Sequence, residues 1–248
     1  MRHVIKCADC PLRRFDVFDR LTETEAAATQ RFKSGELRIE AGTTILNEGS
    51  NAAQLHTALD GLGIRYKTTE EGRRQVINFV LPGDFIGLQA GVMGEMTHSV
   101  EATTDMRLCV FDRSDFWTFV KGNPERSFDL IWMASIEEQM VSEALATVGQ
   151  LKAEARICWA LLRLFRRATS VGLGIGDNSI PLPFKQQDLA DAMGLSLVHT
   201  NRTLRRLRED GVAQWSDDVL EIADLPALID RAGFPGNSEP FAQARPLI

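Results

Sequence analysis

The stretch from Phe184 to Gly211 constrains this 248-residue chain more than any other. It reads as two helices joined by a tight turn. In the first, Leu189, Ala192 and Met193 fall at i, i+3 and i+4, so one face is apolar. Gly194 follows where a helix would stop, because glycine enters the left-handed cap without strain. Ser196 then suits the N-cap of a second helix. That helix points Leu204 and Leu207 inward and Arg202, Arg205, Arg206 and Arg208 outward, and Gly211 ends it. A short helix, a glycine turn and an arginine-bearing second helix make a helix-turn-helix able to enter a DNA major groove. Two amphipathic helices around a glycine also occur in folds that never meet DNA, with the arginines as a solvated face. The residues beyond Gly211 favour DNA: Val212–Trp215 and Val219–Ile222 are short apolar runs around the acidic turn Ser216-Asp217-Asp218. That is a hairpin pattern, and a hairpin after a helix-turn-helix makes a winged module.

Charge sets a limit on this reading. With 28 basic and 34 acidic residues the net charge is −6, which argues against a protein that coats nucleic acid indiscriminately. A local basic helix remains compatible with it. Hydrophobic content of 44% and charged content of 25% indicate a globular chain long enough for two domains. No apolar run is long enough to span a bilayer, and the first residues lack the apolar core of a signal peptide, so a cytoplasmic location and no membrane partner are expected. Four cysteines are too few for a disulfide scaffold.

Taken in order, the chain first offers Cys7-Ala-Asp-Cys10, a pair spaced to share a metal or form a redox disulfide, yet only half of a four-ligand site. From Phe32 to Asp112, recurring glycines separate short strands such as 63–67 and 74–80, the texture of a β-roll, barrel or sandwich. Pro124 opens a long helical stretch on which Met133, Ile136, Met140, Ala144, Val148 and Leu151 recur at three and four. One stripe on so long a helix suits a seam between two subunits; packing within the subunit is the alternative. Ile157, Trp159, Leu161, Leu162 and Phe165 read as core of the next domain, with Cys158 a core residue among them. Residues 171–183 read as a Gly- and Pro-rich link, and the last dozen residues as a loose tail.

With a roll, a long helix and a winged helix-turn-helix in place, the chain resembles the Crp/Fnr family of bacterial transcription regulators over nearly its whole length. The segment Leu-Pro-Gly-Asp-Phe-Ile-Gly (81–87) matches the family's roll signature. Gly194-Leu-Ser, Asn201-Arg202, Leu204 and Gly211 match its recognition-helix pattern. The resemblance implies an α+β fold with a cyclic-nucleotide-binding-type sensor roll over 1–123, a dimerisation helix over 124–151, a winged helix-turn-helix over 152–235 and a tail over 236–248. It implies a homodimer joined through Met133, Ile136, Met140, Ala144 and Val148, binding a pseudo-palindromic operator in double-stranded DNA, with RNA polymerase as a further partner. Base reading falls at Val198, Asn201 and Arg202, with His199 beside them and Ser196, Arg205 and Arg206 completing the DNA-binding set. The family often carries Glu at the position of Val198 and Ser or Gly at that of Asn201, so the sequence preference of other members does not transfer.

Two effectors follow from the same resemblance. Cyclic-nucleotide binders place Glu where this chain has Leu88 and an Arg-Ser pair on the following segment, which here reads Gly94-Glu-Met-Thr-His-Ser99 with no arginine. Without that arginine a buried phosphate goes unneutralised, so cyclic AMP is not expected by this route. Oxygen-sensing members hold a [4Fe-4S] cluster with Cys-x-x-Cys, another cysteine after five intervening residues, and one in the roll. Here these positions are Cys7, Cys10, Asp16 and Cys109, so a carboxylate replaces one thiolate and the cluster would be more labile. Against the cluster stand a buried strand cysteine at 109 and a thiol switch at 7 and 10. Two other functions remain at this point: a thiol-redox enzyme using Cys7 and Cys10, and a small-molecule or haem sensor on the same scaffold. The enzyme lacks a nucleotide-binding glycine motif and any convincing catalytic constellation.

Overall fold

The computed structural model describes residues 4–233 and 246–248. These form two compact units, one from residues 4–67, 79–137 and 246–248 and the other from 68–78 and 138–233.

The first unit opens with 3-10 turns at Cys7–Asp9 and Pro11–Arg14, then α1 (Glu23–Phe32). Thr22 caps α1 in a reciprocal box: Glu25 N–H donates to its Oγ1 at 3.3 Å, and its own N–H donates to Glu25 Oε2 at 2.7 Å. Eight strands follow: β1 (Lys33–Ile39), β2 (Thr44–Leu46), β3 (Gln54–Asp60), β4 (Gly63–Thr68), β5 (Arg74–Val80), β6 (Phe85–Ile86), β7 (Ser99–Ala102) and β8 (Met106–Asp112). They build two four-stranded sheets, in the orders β1-β8-β3-β6 and β2-β7-β4-β5, of which residues 68–78, the end of β4 and most of β5, are counted with the second unit. Ala58, Val80, Ile86, Met96, Val100 and Leu108 are part of the core of this roll. The short α2 (Leu88–Met93) and α3 (Arg113–Gly122) flank it, and Phe32 of α1 stacks on Phe111 and Phe119 at ring distances of 4.8 and 4.4 Å.

The 81–87 turn shows why its residues are those. Buried Asp84 accepts from Leu81 N–H at 3.0 Å, while Ala58 exchanges backbone bonds with Gly83 and Asp84 at 2.7 and 3.0 Å. Gly83 sits at φ +90°, and a Cβ there would lie 2.2 Å from the Phe18 ring. The turn therefore pins the N-terminal segment against the roll.

The long helix α4 runs Pro124–Gln150, and the boundary between units falls within it, after Glu137. The stripe expected to form its seam is largely covered within the single subunit. Met133 and Met140 are 7% and 6% exposed and Ile136, Ala144 and Val148 are half-buried, so this stripe faces the subunit's own interior. The exposed apolar side chains are Phe128, Ile131, Val141 and Leu145, at 64%, 64%, 50% and 72%. At about 100° per residue Phe128, Ile131 and Leu145 fall on the side of the helix away from Met133 and Met140, with Val141 on its flank. A spacing of three and four marks an apolar face without saying what buries it, and α4 has two such faces.

The second unit contains α5 (Ala153–Ser170), β9 (Ser179–Pro181), α6 (Gln186–Met193), α7 (Leu197–Glu209), β10 (Ala213–Ser216), β11 (Val219–Ile222) and α8 (Leu225–Ala232). The segment 171–183, expected as a link, holds β9, which pairs with β11 in the sheet order β10-β11-β9. The link reading failed because three residues are too few for a visible alternation. Of the expected loose tail, 234–245 lie outside the described residues, whereas Pro246, Leu247 and Ile248 are buried.

Candidate DNA interface and effector sites

The helix-turn-helix is built as its residues dictate. Leu189, Ala190, Ala192 and Met193 bury one side of α6, and Gly194 closes it in the left-handed region at φ +64°. Ser196 caps α7, its Oγ accepting from His199 N–H at 3.2 Å. Thr200, Thr203 and Leu207 anchor α7 inward. Along the opposite side Ser196, Val198, Asn201, Arg202 and Arg205 are exposed, with Val198 at 78%. An apolar side chain so open on a helix is available to a partner. His199 is half-buried at the border of this face.

Arg206 behaves differently from its neighbours. Its guanidinium pairs with Glu154 in the first turn of α5, and Arg231 joins the same carboxylate at 3.3 Å and Asp210 at 2.6 Å. It thus fastens the recognition helix to α5, which spacing along α7 alone could not reveal. At the wing, Asp217 and Asp218 both have positive φ, 50° and 59°, between β10 and β11. This is the geometry of a type I′ turn, which favours Asn-Gly. Trp215 Nε1 donates to Leu182 O at 2.9 Å and ties the hairpin down. Replacing Asp217 and Asp218 by Asn and Gly should stabilise the winged unit by about 1 kcal/mol. Removing two acidic charges should also tighten DNA binding of every sequence alike. Thermal unfolding and titrations at fixed salt check both; a lower melting temperature would contradict the turn assignment.

In the roll, the residues at the family's phosphate-gripping positions do not fit a cyclic nucleotide. His98 is buried, and burial together with the charges of Arg65 and Lys67 pushes its pKa down to about 4, so it is neutral at pH 7. Ser99 Oγ accepts from Glu48 N–H at 3.0 Å. Arg65, also buried, is engaged with Glu137 Oε2 at 2.8 Å and Phe85 O at 2.9 Å. The Arg65–Glu137 pair was not visible in the sequence, since nothing local links positions so far apart.

Three of the four expected cluster positions line a common cavity. Cys7, Cys10 and Cys109 line one cavity of about 20 Å³, room for about one water molecule. Lys33, unnoticed in the sequence, lies among them: its Nζ donates to Ile5 O and Glu36 Oε1, both at 2.7 Å, and its charge acts on the Cys109 thiol. Burial raises all three thiols, Cys109 to about 12, which keeps them protonated. Asp16 is exposed and lines a separate groove with Arg13, Arg14 and Asp19. Among the described residues no three His, Cys, Asp or Glu side chains converge closely enough to hold a metal ion. A [4Fe-4S] cluster on Cys7, Cys10, Asp16 and Cys109 does not fit this arrangement, because the three thiols do not converge on one point and Asp16 is elsewhere. Cys158 is fully buried on α5, as a core residue should be.

A β-roll, a long helix and a winged helix-turn-helix with an open recognition face define a DNA-binding regulator, not an enzyme. Residues 36–123 match the cyclic nucleotide-binding domain and residues 155–231 the Crp-like helix-turn-helix domain. The chain belongs to the Crp/Fnr family of transcription regulators. It is 28% identical over 231 residues to the transcriptional activator protein FnrL of Cereibacter sphaeroides, covering 92% of each chain. It is equally 28% identical over 226 residues to the nitrogen fixation regulation protein FixK of Bradyrhizobium diazoefficiens, covering 90% of this chain and 92% of that one. In fold it resembles the solved structure of FixK2 from Bradyrhizobium japonicum, with a TM-score of 0.72, 24% identity, and coverage of 79% of this chain and 95% of that one. No helix among the described residues is long and apolar enough to cross a membrane.

Proposed function

We propose that the regulator acts as a homodimer whose two copies of α7 read an inverted repeat, with half-sites about 34 Å apart in successive major grooves. The open face of α7 carries this reading. Arg202 is suited to bidentate contact with a guanine edge, Asn201 to adenine, and Val198 to a thymine methyl. Arg205 and Ser196 are placed to meet phosphates, and His199 borders them. Arg206, held by Glu154, acts as a positioning residue instead of a base reader. The exposed stripe of Phe128, Ile131, Val141 and Leu145 supports a twofold seam along α4. Its FnrL relative is named a transcriptional activator, and on that likeness RNA polymerase is the expected partner at the promoter, in the cytoplasm. The signal enters through the roll and the N-terminal segment packed on it, with neither cyclic AMP at His98-Ser99 nor a four-ligand cluster as its carrier.

Arg202→Ala tests the base-reading role. Affinity for the best site should fall by about 1–3 kcal/mol, and the preference at one base pair per half-site should relax. Binding measured across a randomised operator library reads both. Equal weakening of all sequences would assign Arg202 to phosphate and overturn the role.

A further inference from the structure

We propose that residues Pro246–Ile248 are a built-in plug of the cysteine cavity: after the DNA-binding module the chain returns to the sensor unit and there covers Cys7 and Cys109. Leu247 and Ile248 are each 4% exposed, and both line the cavity with the three cysteines. Two carbonyls on consecutive residues are taken by buried side chains of the first unit. Arg126, in the first turn of α4, donates from Nη2 to Leu247 O, and Thr57, on β3, donates from Oγ1 to Ile248 O. Arg126 and Thr57 are 2% and 1% exposed.

This polar pair makes the site a built one. Arg126 is also held by Asp129 Oδ2 at 2.5 Å, but its Nε is buried without a partner, so one carboxylate does not satisfy it. Remove the peptide, and a buried guanidinium and a buried hydroxyl both lose their acceptor in an apolar pocket. Two donors spaced for neighbouring carbonyls, above an apolar cavity, match a short apolar peptide segment. Leu247 and Ile248 of this chain are such a segment, and they are the ones that occupy it.

The contact works in both directions. Any opening of the plug exposes the thiols, and a group added to Cys7 or Cys109 displaces the plug, because linkage between two binding events is reciprocal. Arg126 places that exchange on α4. The cavity is thus shielded by the segment that follows the DNA-binding module, and access to its thiols reports on that segment.

Thiol alkylation of the reduced full-length protein by iodoacetamide, followed cysteine by cysteine by peptide mass mapping, tests the plug. In the double variant Leu247→Asp, Ile248→Asp, the alkylation rates of Cys7 and Cys109 should rise about tenfold or more, with Cys158 unchanged. Rates within twofold of the unaltered protein would overturn the proposal. Were Cys158 also accelerated, the chain would have opened as a whole, and Thr57→Val would decide. That change replaces the hydroxyl by a methyl of similar size; an increase of about threefold at Cys7 and Cys109 supports the plug, and no increase overturns it. A wild-type rate that grows on dilution would assign the occupying segment to a second copy and overturn the intramolecular plug.

Discussion

Ile131→Glu should convert the regulator from dimer to monomer at micromolar concentration and abolish specific DNA binding with it. Ile131 is 64% exposed on an apolar stripe with Phe128, Val141 and Leu145. In a twofold seam each copy meets its own image, so one substitution sets two carboxylates against each other in a desolvated interface. The expected loss is about 4 kcal/mol, or about a thousandfold in dimer affinity. Met140→Glu separates this face from the other. Met140 is 6% exposed inside its own subunit, so a glutamate there should lower the melting temperature of the subunit and leave the seam without a direct lesion. Sedimentation velocity and thermal unfolding of the two variants read the difference. A dimer that survives Ile131→Glu would move the interface off this stripe.

Those two residues also show where the sequence is readable and where it stops. Features written by neighbours in the chain were legible. Gly194 at φ +64° and the Ser196 cap are local chemistry, and so is the wing hairpin around Asp217 and Asp218. The 81–87 turn was legible for the same reason, since Leu81, Gly83 and Asp84 bond within a few residues of one another and to a single strand. On α4 the helix was legible but its orientation was not. Both Met133–Met140 and Ile131–Leu145 lie on apolar stripes, and only the packed subunit distinguishes the covered stripe from the open one.

Long-range polar partners were the least visible. Lys33 beside Cys109, Glu137 on Arg65, Glu154 on Arg206 and Arg126 on Leu247 join positions that no spacing rule connects. The cysteine set shows both sides of this. The structure puts Cys7, Cys10 and Cys109 on one cavity, the N-terminal turn that carries the first of them packing on α1. Resemblance put Asp16 with them by counting residues, and the 3-10 turn Pro11–Arg14 carries the chain away to an exposed groove instead.

Gly61→Ala should cost the roll about 4 kcal/mol, the largest stability loss expected of so small a change. Gly61 follows β3 in the turn to β4, at φ +84°. A Cβ there would lie 2.3 Å from Asp105 O and 2.8 Å from Met106 Cα, both backbone atoms that cannot swing aside. The turn is itself fixed on that neighbour, since Leu62 O accepts from Thr103 N–H at 2.8 Å and Leu62 N–H donates to Thr104 Oγ1 at 2.9 Å. Relief would therefore require breaking bonds between the β3–β4 turn and the β7–β8 connection. Gly72 supplies the control. Its φ of +78° is similar, but nothing lies within 4 Å of its would-be Cβ, so Gly72→Ala should show the backbone strain alone, about 1 kcal/mol. At about 2–4 °C per kcal/mol, the first variant should lower the unfolding temperature of its unit by about 8–16 °C and the second that of its own unit by about 2–4 °C. Scanning calorimetry resolves the two, and equal shifts would show that the contact with Asp105, and not the backbone angle, has been misjudged.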